Sequence, residues 1–162
     1  MNSPGTSARP HVLIVEDDEL DSRLVSDALR RSALAPHVHV VRDGEEALRF
    51  LRAEGEHSNA PRPSLVLLDL NLPRIDGRSV LNAMKDDESL RAVPVIVVST
   101  SSTDRDVADA YRLQASSYVC KSLDVEEFEQ AVLQVADLWL GCSRRVRGVP
   151  SVSKAPPEAP AS

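Results

Sequence analysis

Four short apolar runs in this sequence each lead into residues that carry charge or hydrogen-bonding oxygen. Val12-Leu13-Ile14-Val15 runs into Glu16-Asp17-Asp18, Leu65-Val66-Leu67-Leu68 into Asp69, Val95-Ile96-Val97-Val98 into Ser99-Thr100, and Tyr118-Val119-Cys120 into Lys121. Gathered in one place, these ends supply several carboxylates, a hydroxyl and an ammonium. Clustered carboxylates repel one another unless a cation joins them. Hard oxygen ligands with one open side suit Mg²⁺, which keeps waters and takes phosphate oxygens. A carboxylate can also attack phosphorus to form an acyl phosphate, a reaction that needs mainly positioning and charge stabilisation. Asp69 is the candidate nucleophile and Asp17 the candidate metal ligand. Lys121 and Ser99 are the candidates to hold a phosphoryl group.

Singly, none of these residues says much. A carboxylate after a strand is commonly a helix cap, a role that fits Asp18, as it fits Thr103 among the hydroxyls. A lone lysine is commonly a surface charge. The weight lies in the joint pattern, because sites in open α/β sheets form outside the carboxyl ends of the strands.

The elements that must do the positioning follow from periodicity. His11 to Val15 reads as a strand buried on both faces. Leu20, Leu24, Val25, Ala28 and Leu29 keep helical spacing within 19–32. A second strand runs from Val38 to Val41. Asp43-Gly44 then opens a helix carrying Ala47, Leu48 and Leu51. Residues 55–63 are a polar loop. The third strand ends on Asp69, and Pro73 and Asp76-Gly77 break the chain before a helix with Val80, Leu81 and Met84. The fourth strand ends on Ser99, and a helix with Val107, Ala110 and Tyr111 follows. The fifth strand ends on Lys121, and a last helix spans about 124–140 with Gly141 as its stop. Five β-α units of this kind imply an α/β fold, a parallel sheet covered by helices on both faces. Residues 1–9 read as a disordered leader, 10–141 as one folded domain and 142–162 as a disordered tail. The tail holds four of the chain's eleven prolines.

Composition bounds the rest. The chain has 162 residues, 42% apolar and 27% charged, with a net charge of −6, as for an ordinary globular protein that binds neither nucleic acid nor membrane. Cys120 and Cys142 do not sit at metal-ligand spacing and nothing resembles a secretory signal. Reduced thiols in a cytoplasmic protein are expected. His11, His37, His39 and His57 are scattered along the chain and read as structural or surface residues.

Residues 11–140 resemble a receiver domain of two-component signalling. The stretches that carry the resemblance are Val15-Glu16-Asp17-Asp18, Leu67-Leu68-Asp69-Leu70-Asn71-Leu72-Pro73, Asp76-Gly77, Ser99-Thr100 and Tyr118-Val119-Cys120-Lys121. The resemblance implies the flavodoxin-like (βα)5 fold with strand order 2-1-3-4-5. It makes Asp69 the phosphoacceptor, with Asp17, the Asp69 carboxylate and the Asn71 carbonyl as direct Mg²⁺ ligands and Glu16 binding through water. Ser99 and Lys121 match the family's hydroxyl and lysine, and Tyr118 its aromatic switch position. A narrower resemblance, in Pro61-Arg62-Pro63-Ser64, Asp76-Gly77-Arg78, Lys121-Ser122 and Leu138-Trp139-Leu140, is to response regulators paired with bacterial phytochromes. It implies a light-sensing histidine kinase as the partner. Ser122 stands where most receivers have a proline joined to the lysine by a cis bond, which before serine costs about 3 kcal/mol.

The resemblance implies a signalling phosphoacceptor and not an enzyme in the ordinary sense. No effector pattern follows residue 141, so output is expected through protein contacts or as a phosphorelay intermediate. A homodimer through the last helix is expected from its wide apolar arc. Val125, Phe128, Val132, Val135 and Trp139 form the core-facing stripe there, flanked by Leu133, Leu140 and Leu138. Three rivals fit less well. A phosphatase of the haloacid dehalogenase type needs an acid at position 71, which is Asn. A flavodoxin-like flavin carrier needs a phosphate-cradling loop where this chain has Glu16-Asp17-Asp18-Glu19. A pseudo-receiver acting only as a binding module would lack Asp69 or Lys121.

Overall fold

The computed structural model describes residues 9–101, 103–121 and 124–148, with 142–148 by backbone only. Five strands, β1 (His11–Val15), β2 (His37–Val41), β3 (Leu65–Asp69), β4 (Val95–Ser99) and β5 (Ser117–Cys120), form one parallel sheet of order β2-β1-β3-β4-β5. They alternate with helices α1 (Glu19–Arg30), α2 (Gly44–Arg52), α3 (Gly77–Asp86), α4 (Asp104–Arg112) and α5 (Val125–Gly148), with a 3-10 turn at Gly55–His57. This is the flavodoxin-like receiver fold.

Strand residues alternate between two cores. Leu13, Val15, Val66, Leu68, Val95 and Val97 pack on one face with residues of α2, α3 and α4. Val12, Ile14, Leu65, Leu67, Ile96 and Val98 pack on the other with Val25, Leu29, Phe128, Val132, Ala136 and Leu140 of α1 and α5. Every residue of β3 and β4 is buried, so their apolar runs show no polar alternation. Truncating one of these leucines to alanine is worth about 2–5 kcal/mol.

Local chemistry sets where the helices begin. Asp18, Asp43, Asp76 and Thr103 each accept a hydrogen bond from the backbone amide three residues on. Asp124 does the same for the Glu127 amide at the start of α5, at 2.8 Å. Each cap satisfies an otherwise unpaired first-turn donor. Asp18 and Thr103 therefore do serve as caps, and with Asp76 they fix the helix ends beside the polar strand ends.

The last helix departs from expectation. It does not stop at Gly141 but continues to Gly148. Open space surrounds the Cα of Gly141, and an isolated glycine costs a helix only about 1 kcal/mol relative to alanine. The backbone is thus helical into the segment expected to be a loose tail. The buried stripe of α5 is also shifted. It runs through Phe128, Val132, Ala136 and Leu140, whereas Val125 is 56% exposed. Trp139 is half-buried and its indole N–H donates to Ser117 Oγ at 3.0 Å. The expected leader (apart from Arg9), the tail beyond 148 and the Lys121–Ser122 bond lie outside the described residues.

Candidate functional site

Parallel strands place all their carboxyl ends on one edge, and there β1, β3, β4 and β5 bring the polar residues together. Lys121, the first residue after β5, lies at the centre. Its Nζ donates to Asp69 Oδ2 at 3.1 Å, to Glu16 Oε1 at 2.5 Å and to Asp21 Oδ2 at 2.9 Å. The Lys121, Glu16 and Asp69 side chains are only 8, 4 and 6% exposed. Ser99, at the end of β4, is buried, and its backbone carbonyl accepts from the Lys121 amide at 2.7 Å. This backbone link joins the residues that carry the hydroxyl and the ammonium at the ends of β4 and β5.

Asp69 is held on both sides. Oδ2 faces Lys121, while Oδ1 accepts from the Asn71 amide at 2.9 Å. Behind it, the start of α3 presses close. A Cβ on Gly77 would lie 2.5 Å from the Asp69 carbonyl oxygen and 2.6 Å from Leu70 Cα. Only glycine allows that approach, which fixes the loop between Asp69 and α3.

Charge in the site is unbalanced. Glu16, Asp69 and Asp21 surround one ammonium, and Asp17 stands next to them. Burial, with the hydrogen bonding and charge of Asp69, pushes the Glu16 carboxyl up to about 8 against the pull of Lys121. Burial works against the Lys121 charge too, but Glu16, Asp21 and Asp69 outweigh it and hold the ammonium above its ordinary range. The surplus negative charge calls for a proton or a cation. Glu16, Asp17 and Asp69 offer carboxylate oxygens within 4.8 Å of one another. An all-oxygen donor set of this kind fits a hard divalent cation.

The structure therefore brings together Glu16, Asp17, Asp69, Asn71, Ser99 and Lys121, as the sequence suggested. Asn71 enters through its amide N–H. Tyr118 stands apart on β5, and its hydroxyl donates to the Ser101 carbonyl at 2.7 Å. Ser99 Oγ in turn accepts from the Ser101 amide at 3.2 Å. Ser101 Oγ donates to Asp106 of α4, which pairs with Arg78 of α3 at 3.1 Å. The sequence reading missed Asp21, which lies in the first turn of α1 and reaches Lys121 from there, and the Asp106–Arg78 pair, which no strand-end rule points to.

Comparison with known proteins gives a consistent result. The family model for the response regulator receiver domain matches residues 12–133. Response regulator Rcp1 of Synechocystis sp. is 41% identical over 129 residues, covering 80% of this chain and 88% of Rcp1. The crystal structure of the phosphorylated cyanobacterial phytochrome response regulator RcpA superposes with a TM-score of 0.78 at 43% identity, over 83% of this chain and 96% of that one. The Mn²⁺-bound form of Rcp1 gives 0.76 at 40% identity, over 81% and 94%.

Proposed function

The chain belongs to the response regulator receiver family, and from that premise we propose that it accepts a phosphoryl group on Asp69 from a partner histidine kinase. The observation that carries this reading is the buried contact of Asp69 with Lys121, 3.1 Å across the ends of β3 and β5, beside the acidic oxygens of β1. In the reaction a carboxylate oxygen of Asp69 attacks phosphorus. The aspartyl O–P bond forms as the histidine N–P bond breaks, and the imidazole leaves with that electron pair. Lys121 faces the charge that collects on the phosphoryl oxygens, and the Ser99 hydroxyl donates to one of them.

Glu16, Asp17 and Asp69, with the Asn71 carbonyl as the family resemblance assigns it, would hold Mg²⁺. The ion supplies charge neutralisation on the phosphoryl oxygens. Attack of water on the acyl phosphate at the same site would return the protein to its resting state.

Readout follows from the hydrogen bonds around Ser101. Phosphorylation adds about −1.5 to −2 charge. Drawing Ser99 Oγ towards that charge competes with its bond to the Ser101 amide. Ser101 also holds the Tyr118 hydroxyl and Asp106, so the loop before α4 shifts together with the face of β5 and α4. Tyr118 and Ser99 are the switch residues.

The kinase is of the phytochrome type, supported by the likeness to RcpA, a cyanobacterial phytochrome response regulator. The setting is cytoplasmic. No helix among the described residues is long and apolar enough to cross a membrane. Output is through protein contacts, including a homodimer around the last helix, where Leu138 is 61% exposed. Leu140 and Trp139 are committed to this chain's own core and to Ser117, so exposed Leu138 and Val125, with half-buried Leu133, are apolar residues left for a second copy. The test is phosphotransfer from a panel of purified histidine kinases. Transfer to the wild-type chain fastest from a phytochrome kinase, with light-dependent rate, supports the assignment. Transfer only from kinases of other sensor classes would remove the phytochrome partner.

A further inference from the structure

The opposite edge of the sheet carries a group of side chains that the phosphoacceptor reading does not use. His11 and His37 are register partners on β1 and β2, and His39 lies two positions further along β2 on the same face, opposite Leu13. His11 Nδ1 and His39 Nε2 are 3.0 Å apart. The His37 ring stacks on His11, with centroids 4.8 Å apart and planes at 22°. His37 is exposed and the other two are half-buried, so the group has one open side. Phe50 packs on the far side of His39 and separates it from His57.

We propose that His11, His37 and His39 form a binding site for a divalent transition-metal ion of the Zn²⁺ class, separate from the acidic site. Two imidazole nitrogens on a tetrahedral ion with Zn–N bonds of about 2.0–2.1 Å lie about 3.3 Å apart, close to the spacing already present between His11 and His39. The proton between them shifts to the other nitrogen of its own ring, so both rings stay neutral and both facing lone pairs reach the ion. His37 completes a three-nitrogen set by turning about its Cα–Cβ bond, which its exposure permits, and the open side takes water. Burial first, then the charges of His37 and Arg9, keeps the His11 imidazole below its ordinary pKa. Burial, then His11 and His37, does the same for His39. Both are therefore neutral near pH 7 with lone pairs to donate. Arg9, tied to the Ala35 carbonyl at 2.5 Å, puts a fixed positive charge nearby. That charge disfavours hard ions held by charge alone, so the site selects ions that bond to imidazole nitrogen.

This reading rests on no part of the phosphoacceptor assignment. The experiment is calorimetric titration of the full chain with Zn²⁺ in saturating Mg²⁺, which occupies the acidic edge, with imidazole NMR resonances followed in parallel. The first Zn²⁺ equivalent is expected to shift the resonances of His11, His37 and His39 before any shift of His57, which belongs to a separate group with Glu46 and Glu56. Losing an outer partner of a ligand already costs about 10–100-fold in metal affinity, so His11→Gln and His39→Gln should each lower it at least that much. His37→Gln, at an exposed position that cannot unfold the sheet, should lower it as well. Phosphoryl uptake should be unchanged in all three. No saturable binding to the wild type, unchanged affinity in the His11→Gln/His39→Gln double variant, or shifts confined to His57 would overturn the proposal.

Discussion

The two edges of one sheet gather side chains of opposite chemical character from the same strands. β1 begins on His11 and leads straight into Glu16 and Asp17. Its amino edge gathers imidazoles beside a fixed guanidinium, and its carboxyl edge gathers carboxylates around one ammonium. The first set suits an ion that bonds to nitrogen, the second an ion held by oxygen and charge. The difference follows from parallel pairing, which sorts residues by position along the strand and puts every strand end of one kind on one edge.

The largest test of this contrast is Lys121→Met. It leaves Glu16 and Asp69 buried without their cation, and breaking one partner of a buried ion pair costs about 3–5 kcal/mol. Urea unfolding should show that loss at the carboxyl edge, with partial recovery in Mg²⁺, whereas His39→Gln should show neither. Equal losses in both variants, insensitive to Mg²⁺, would erase the contrast.

The edges also titrate in opposite senses. Glu16 is raised from 4.5 to about 8. The unfolded chain therefore releases that proton first as pH rises, and metal-free stability falls from about pH 4.5 towards 8. His11 and His39 are lowered from 6.5. The unfolded chain takes up those protons first as pH falls, so stability is lost on the acid side of 6.5. The two oppose each other between about 4.5 and 6.5, so in urea midpoints the fall stands alone only above 6.5. Mg²⁺ and Glu16→Gln should flatten that fall and leave the acid-side loss, and no fall above 6.5 in the metal-free protein would refute the comparison.

Smaller effects sharpen the carboxyl edge. Gly77→Ala forces α3 away from the Asp69 carbonyl, a clash of the kind that costs about 1–3 kcal/mol. Phosphoryl uptake should fall more than in a core variant of equal stability. Tyr118→Phe removes a single hydrogen bond worth about 1 kcal/mol. It should leave uptake intact while changing the amide NMR shifts of Ser101 and α4. Unaltered shifts there on phosphorylation of the wild type would detach Tyr118 from the readout.

How far each edge could be read from sequence follows the same division. Glu16, Asp17, Asp69, Ser99 and Lys121 at the carboxyl edge were legible because they end or follow an apolar strand run, so finding the strand finds the residue. Asp18, Thr103 and Asp76-Gly77 were legible for the same local reason, whereas the strand order came only from the family resemblance. The amino edge was not. His11 and His39 are 28 positions apart, and only the register of β1 on β2 makes them neighbours. Asp21 and the Asp106–Arg78 pair depend likewise on how helices sit over strand ends. Gly141 misled because a glycine stops a helix only where the backbone turns left-handed, and at this position it does not. Val125 and Leu140 exchanged places between surface and core because the facing of α5 is set by its packing on α1, where Ser32 donates to Asp137 at 2.5 Å and Arg31 pairs with Glu129 at 2.8 Å.

The central claim is that Asp69 is the phosphoacceptor, and the direct measurement is phosphoryl incorporation into the intact chain from a small acyl phosphate in Mg²⁺. One base-labile, acid-stable phosphoryl group per chain is predicted, absent without divalent cation and absent in a folded Asp69→Asn variant. Full labelling of that variant would contradict the account.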